Sequence, residues 1–506
     1  MEPCLGGGIN VSHPQSQEKP MKNCMRNLFV ALALLALSTL NPQLSTAFAQ
    51  GSLTPPPGAP APTMITLQQI EPRTPISSVP FTITTPGSYY LTTNLYSPSG
   101  NGITVSANDV TIDLYGFALV GNGVGSGIVT PANVINLFVR NGTVRNWGAS
   151  SLGTSNANNS RFEKLRLSDS TAGLMTGYNC EIVDCTCWNA GNSSNPALRV
   201  SDGCVVRNCV VAGSEYGILG ANGDRIESCL LRSNTFAIQV GGNCTIRDCT
   251  ASAGGGTGIN AGDNATVQGC QSLGSRGGGI AVGNGALVQD CVANSSVSNG
   301  FSGGSSVVFR HCTALNNGNA GFNANLSANF DGCLSISNAG VGISGSDNST
   351  VTGCSSQINS DNGIFVGYNS RVQDCLAVGN TNAGIYVYGH TIVSGCTCDY
   401  NGLSGIYVFY PGCAVINNTC DNNNTRNSGF DSGIYIDDSN NRVDGNHVAY
   451  NNGFGIYVVD SYVNDVVIRN DAEDNLPFNY YLPSSTDAGP LGLASQATSP
   501  WANISY

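Results

Sequence analysis

The residues best placed for chemistry are aromatic. Gly363-Ile364-Phe365-Val366 returns as Gly384-Ile385-Tyr386-Val387, and Tyr407, Tyr435 and Tyr457 occupy the same third position in later copies. Tyr388 and Phe409 follow two residues after their row members, with Tyr368 and Tyr410 close by. In earlier copies that position holds Asn260, Ala281, Ser302, Asn323 and Ser344. In an alternating strand with Ile and Val turned inward, the third residue points out. A tyrosine row on that face offers apolar rings and hydroxyl rims to a sugar chain, so Phe365, Tyr386, Tyr388, Tyr407, Phe409, Tyr435 and Tyr457 are candidate carbohydrate-binding residues. Two other readings stay open. The rings can brace neighbouring strands, or they can lie under a folded-back C-terminal tail or a protein partner.

Carboxylates lie beside this row. Hydrolysis of a glycosidic bond needs an acidic pair across it. Asp399, Asp421, Asp431, Asp437, Asp438 and Asp460 are near in sequence, and Asp437-Asp438 directly follows Tyr435-Ile436. Asp437, Asp438 and Asp460 are therefore weak catalytic candidates. A lyase needs a base. Beyond residue 50 the only lysine is Lys164, and Arg371, Arg442 and His390 are scattered over turns. If the protein were a calcium-assisted lyase, Asp437, Asp438 and Asp460 would be the carboxylates to hold the ion; otherwise no cofactor or metal is expected. Gly300-Phe301-Ser302-Gly303-Gly304 has the spacing of a nucleophile elbow but no following helix. The run from Gly121 to Gly127 lacks the strand–helix setting of a phosphate loop.

The elements that position these residues follow a clock. Gly-Ile or Gly-Phe pairs begin at Gly258, Gly279, Gly300, Gly321, Gly342, Gly363, Gly384 and Gly405. Cysteines run on the same clock from Cys209 to Cys396, with the first two steps one residue shorter, and Asn317, Asn338, Asn359, Asn380 and Asn401 keep the interval. Each copy holds short β-branched runs broken by Gly, Asn and Ser, with no helical period. A unit this short cannot bury its own apolar face, but stacked copies can. The spacing predicts a coil of about 21 residues per turn and about seventeen turns, with equivalent residues in ladders roughly 4.8 Å apart.

This pattern resembles the right-handed parallel β-helix, the fold of the pectate lyase and polygalacturonase superfamily and of many secreted β-helix repeat proteins. The resemblance covers roughly residues 80–476, including "PGSYYLTTNL", "GITVSANDVTIDLYGFALVG" and "INLFVRNGTVRNW" near its start. It implies an all-β, single-stranded right-handed parallel β-helix, with a carbohydrate groove along one strand face. The catalytic motifs are not matched. Of the polygalacturonase set only Asp437-Asp438 is present, while His447 and Arg469 stand in the wrong surroundings.

The ladders have structural readings. One cysteine per coil fits a small hydrophobe stacked inside, and parallel side chains are poorly set for bridging. Cys180, Cys204, Cys244 and the Cys413/Cys420 pair fall off the clock and are the better bridge candidates. The Asn ladder suits turns, where Asn tolerates left-handed backbone and its amide can bond to the next turn.

The N-terminus reads as a secretory signal. Met21–Arg26 is basic, Leu28–Leu40 is apolar, and Ala47-Phe48-Ala49 is a cleavage site before Gln50. The expected organisation is an N-terminal extension and signal over 1–49, a Pro-rich linker over 50–63, the β-helix over 64–476 and a C-terminal cap over 477–506. A net charge of −12 argues against nucleic acid as a partner. No later apolar run is long enough for a transmembrane anchor. The expectation is a secreted or cell-surface protein, of bacterial style, that binds polysaccharide. The alternatives are a polysaccharide lyase or glycoside hydrolase, and a surface scaffold or adhesin without catalysis.

Overall fold

The computed structural model describes residues 71–191 and 195–506. The segments expected as signal (1–49) and linker (50–63) lie outside the described residues.

One turn shows how the sequence makes the coil. Ile364–Val366, Arg371–Gln373 and Leu376–Val378 are three-residue strands on three faces, here faces 1, 2 and 3. A left-handed residue stands at each corner: Asn369 (φ 56), Asp374 (φ 53) and Gly379 (φ 65). Asn, Asp and Gly adopt this backbone most readily. Ile358, with φ 54, takes the place of Gly379 one turn earlier, at a steric cost of about 1–2 kcal/mol. Each corner turns the next residue inward, so Ser370, Cys375 and Asn380 are all buried.

These three inward positions are the ladders. Asn380 donates its backbone N–H and its Nδ2 to Oδ1 of Asn401, at 3.1 and 3.0 Å, and Nδ2 also reaches Ser356 O. The clocked glycine follows from this. A Cβ on Gly363 would stand 2.5 Å from Asn380 Nδ2 and 2.6 Å from Gly384 O, so the ladder leaves room only for hydrogen.

All pairing between turns is parallel, and there is no α-helix among the described residues. Face 1 stacks nineteen strands, from Phe81–Ile83 to Tyr480–Tyr481. The sequence suggested about seventeen turns. The difference comes from the ends, where segments without the Gly-Ile pattern still supply strands: Phe81–Ile83 pairs with Ile103–Val105, and Tyr480–Tyr481 with Ile456–Tyr457. Beyond residue 476, Asp487–Ala488 and Asn503–Ser505 extend faces 2 and 3.

The core is the coil's lumen, lined by Ile, Val and Leu and by stacked rings such as Phe301 on Phe322 at 4.7 Å. All eighteen cysteines from Cys180 to Cys420 are buried and free. The off-clock cysteines join the same scheme without bridging: Cys180 donates its N–H to Cys204 Sγ, and Cys398 stacks in register on Cys420.

Candidate functional site

Face 1 carries the aromatic row outward, as strand alternation requires. Phe365, Tyr386, Tyr407, Tyr435, Tyr457 and Tyr481 are successive register partners, while their Ile and Val neighbours are fully buried. The rings lie on one another. Tyr386 and Tyr407 stack at 4.9 Å and 7°, Tyr407 and Tyr435 at 4.8 Å and 14°, and Tyr435 and Tyr457 at 5.2 Å and 18°. Tyr481 adds a further ring at 4.7 Å and 14°. The inner members of the row thus spend both faces on their neighbours. What they present outward is an edge and a hydroxyl. Phe365 is tilted by 34° at 5.9 Å and ends the row on Ser344.

Beside this row runs a second one. Tyr388 and Phe409 are 5.9 Å apart, and Tyr368 and Tyr410 pack edge-on or tilted against Tyr388. In the next turn Asp437 takes the place of Phe409, its N–H bonded to Val408 O as that of Phe409 is to Val387 O. The Asp437 carboxylate turns back to the first row, where Oδ2 accepts the Tyr407 hydroxyl at 2.9 Å. Burial raises the pKa of Asp437, and the Tyr407 bond pulls it down. Burial pushes Tyr386 and Tyr435 up to about 12, so both stay protonated at neutral pH.

The other expected acids do not converge. Asp438 accepts the N–H of Ser439 at 2.7 Å, as a turn residue does. Asp460 is exposed and accepts the hydroxyl of Tyr481 at 2.8 Å. Asp431 accepts from Ser404 Oγ at 2.9 Å, and burial raises its pKa. Among the described residues no group of three or more His, Cys, Asp or Glu is arranged to hold a metal ion. His447 lies on face 3 beside Asp471, and Arg442 lies on face 2 bonded to Asp444, both away from the aromatic rows.

The coil breaks its clock at this place. Ten residues separate Asn423 from Gly433, where four separate Asn401 from Gly405. The added loop leads into the Tyr435 strand and carries Phe430, which is 61% exposed and stacks on Tyr457 at 5.3 Å. Arg426 in the same loop reaches back to Thr381 O and Asn382 Oδ1. One turn later, after the Tyr457 strand, eight residues separate Val458 from Val466, where five separate Val387 from Ile392. Face 1 therefore has a tyrosine floor flanked by two loops, one with Phe430 and Asp431, the other with Asp460 and Tyr462.

Tyr457, expected among the exposed rings, is only 7% exposed, because Phe430 and Phe454 pack on it. Tyr386, Tyr407 and Tyr435 remain partly exposed. The C-terminal strands 487–488 and 503–505 pair on faces 2 and 3, and Trp501 lies under the Arg469 guanidinium. Sequence reading missed Tyr481, Phe430 and Phe454. Tyr481 follows Asn479-Tyr480 rather than a Gly-Ile pair, and the two phenylalanines stand outside the repeat.

Among solved structures, the chain is similar to the mannuronan C-5 epimerase AlgE4 A-module of Azotobacter vinelandii, with 12% identity, 56% of this chain and 90% of that chain covered, and a TM-score of 0.43. It is also similar to the catalytic unit of a GH87 alpha-1,3-glucanase from Streptomyces thermodiastaticus, with 12% identity, coverage of 75% and 64%, and a TM-score of 0.34. No curated protein matches the sequence. The right handed beta helix region family matches residues 201–356 and 339–476, more than half of the chain. The chain belongs to the right-handed β-helix family.

Proposed function

We propose that this is a secreted or cell-surface protein that binds polysaccharide along face 1, over Tyr386, Tyr407 and Tyr435. One observation carries the reading: the partly exposed tyrosine row lies where two loops end the constant 21-residue interval that the coil keeps from Gly258 to Gly405. In a solenoid the repeat supplies stability, and departures from it on one face are where binding surfaces are built. Of the tail, Tyr480–Tyr481 only extends face 1 by a turn, and strands 487–488 and 503–505 pair on faces 2 and 3, so the row over Tyr386, Tyr407 and Tyr435 is not explained as a seat for them. The signal-like segment Met21–Ala49 supports export.

Affinity electrophoresis of residues 50–506 through gels holding neutral and acidic polysaccharides tests this, with a Tyr386→Phe/Tyr407→Phe/Tyr435→Phe variant alongside. Phenylalanine keeps the ring stack and removes the hydroxyls. Retardation of the wild type with weaker retardation of the variant supports the reading. Equal retardation of both moves binding off this row, and no retardation on any polymer overturns it.

A further inference from the structure

Resting on that reading, we infer that the ligand is an extended, uncharged glycan lying along the coil axis and read through its hydroxyls, one sugar per turn. Three observations lead there.

The first is the ring geometry. Tyr407 is sandwiched by Tyr386 and Tyr435, at 4.9 and 4.8 Å, which leaves no face for a sugar to stack on. Contact must be made at the rim. The hydroxyls of Tyr386 and Tyr435 have no hydrogen-bond partner among the described residues, and Tyr407 Oη has spent only its donor, on Asp437. A phenol both donates and accepts, which suits a sugar hydroxyl.

The second is the repeat distance. Ring centroids recur every 4.8 to 5.2 Å from Tyr386 to Tyr457 along the axis, about the length of one pyranose in an extended chain. A chain in this orientation turns some hydroxyl, of one edge or the other in alternation, to the row at each sugar. A compact or coiled glycan would meet one or two.

The third is charge. Residues 424–440 and 459–464 carry Asp431, Asp437, Asp438 and Asp460 against one guanidinium, and Arg426 is turned to Thr381 O and Asn382 Oδ1. A polyuronate laid on this floor would bring a carboxylate to each turn beside these acids. Like charges brought side by side repel, and the partial burial of Asp431 and Asp437 reduces the screening by solvent without removing it. A neutral chain meets no such barrier, and Asp437 can accept from its hydroxyls.

The test is calorimetry of residues 50–506 with cello-oligosaccharides from disaccharide to octasaccharide, and with oligogalacturonides and de-N-acetylated chito-oligosaccharides of equal length. Affinity for the neutral series should rise roughly two- to tenfold with each sugar that gains a tyrosine hydroxyl, and then level off. It should change little with salt. Tyr435→Phe should weaken the longer neutral ligands by a similar factor, while Tyr216→Phe, on a stacked pair far from the site, should not. Tighter binding of either charged series, or a disaccharide bound as well as an octasaccharide, overturns the inference and leaves the glycan-binding reading standing. No binding by any series, together with no retardation on any gel, overturns both.

Discussion

Tyr407 and Asp437 stand 30 residues apart in sequence, and their side chains join the two outward rows of face 1 through one 2.9 Å hydrogen bond. The bond exists because Asp437 occupies the row position of Phe409 one turn later. An apolar ring there would leave the Tyr407 hydroxyl without this acceptor.

Removing the donor should therefore act on the acid. Burial raises the Asp437 pKa and the Tyr407 bond lowers it, so Tyr407→Phe should move it further up. A folded pKa above the unfolded one gives stability that is complete below the unfolded value and lost as pH rises through the folded one. At neutral pH the variant should be destabilised by about 1 kcal/mol, at the low end for a bond to a charged group because the pair is only partly buried. Carbon-detected NMR titration of the Asp437 carboxyl checks the direction. An unchanged or lowered pKa would show that the bond does not stabilise the carboxylate.

The tyrosine stack should be structural as well as a binding edge. Tyr435 contacts a ring above and a ring below, each pair contributing about 0.5–1.5 kcal/mol beyond area burial. Tyr435→Ala should cost about 1–3 kcal/mol, and Tyr435→Phe should cost little. Urea unfolding of the two variants decides between them. Equal stability for alanine and phenylalanine would mean that the stack contributes nothing measurable.

The clock made the coil legible. Gly363 and Gly384 repeat because the Asn380 and Asn401 amides occupy the space where a Cβ would stand, and a fixed interval between such close approaches admits few folds. Strand alternation also gave the outward direction of Tyr386 and Tyr407. It could not give the ring planes, which depend on side-chain torsions shared between turns, and so a face-binding platform and an edge-presenting stack look alike in sequence. Phe430 was hidden for a different reason: it belongs to an insertion, and its packing on Tyr457 has no counterpart in other turns. Cys180, Cys204 and Cys244 stand out as bridge candidates in sequence because their spacing departs from the main ladder, yet all are free and Cys180 and Cys204 occupy another inward corner of the same coil.

Asp224 gives the coil a pH dependence. It is 1% exposed at an inward corner, where it accepts the N–H groups of Cys204 and Ala221 at 2.8 and 2.7 Å. Burial raises its pKa to about 6 against these bonds, and the nearby Asp202 adds to the rise. With an unfolded value near 3.9, its contribution is complete below about pH 4 and falls as pH rises through about 6, by roughly 3 kcal/mol in all. Unfolding free energy measured across this window should show the loss in the wild type. Asp224→Asn should flatten the curve while lowering it overall, since Cys204 and Ala221 bond different carboxylate oxygens and an amide keeps only one of them. An equally steep curve in the variant would assign the pH dependence elsewhere.

The Cys ladder ends in asparagine, and the change of residue should be felt unequally. Cys396 donates its N–H to Asn418 Oδ1 at 2.9 Å, and Asn418 continues the column by bonding Asn446 Oδ1 from both its N–H and its Nδ2. Its Nδ2 also reaches Val393 O at 3.0 Å. Asn418→Ala removes all the side-chain bonds and leaves the Cys396 N–H buried without an acceptor, a loss of about 2–4 kcal/mol. Asn418→Cys should cost less, because a sulfur can take that N–H as Cys354 Sγ takes the N–H of Cys333 at 3.3 Å. Cys396→Asn should be tolerated best, since its new amide would meet the Asn418 Oδ1 already in place. Chemical unfolding of the three variants should rank them in that order. If Asn418→Cys proves as damaging as Asn418→Ala, the thiol is no substitute acceptor, and the cysteine column is held by its packing alone.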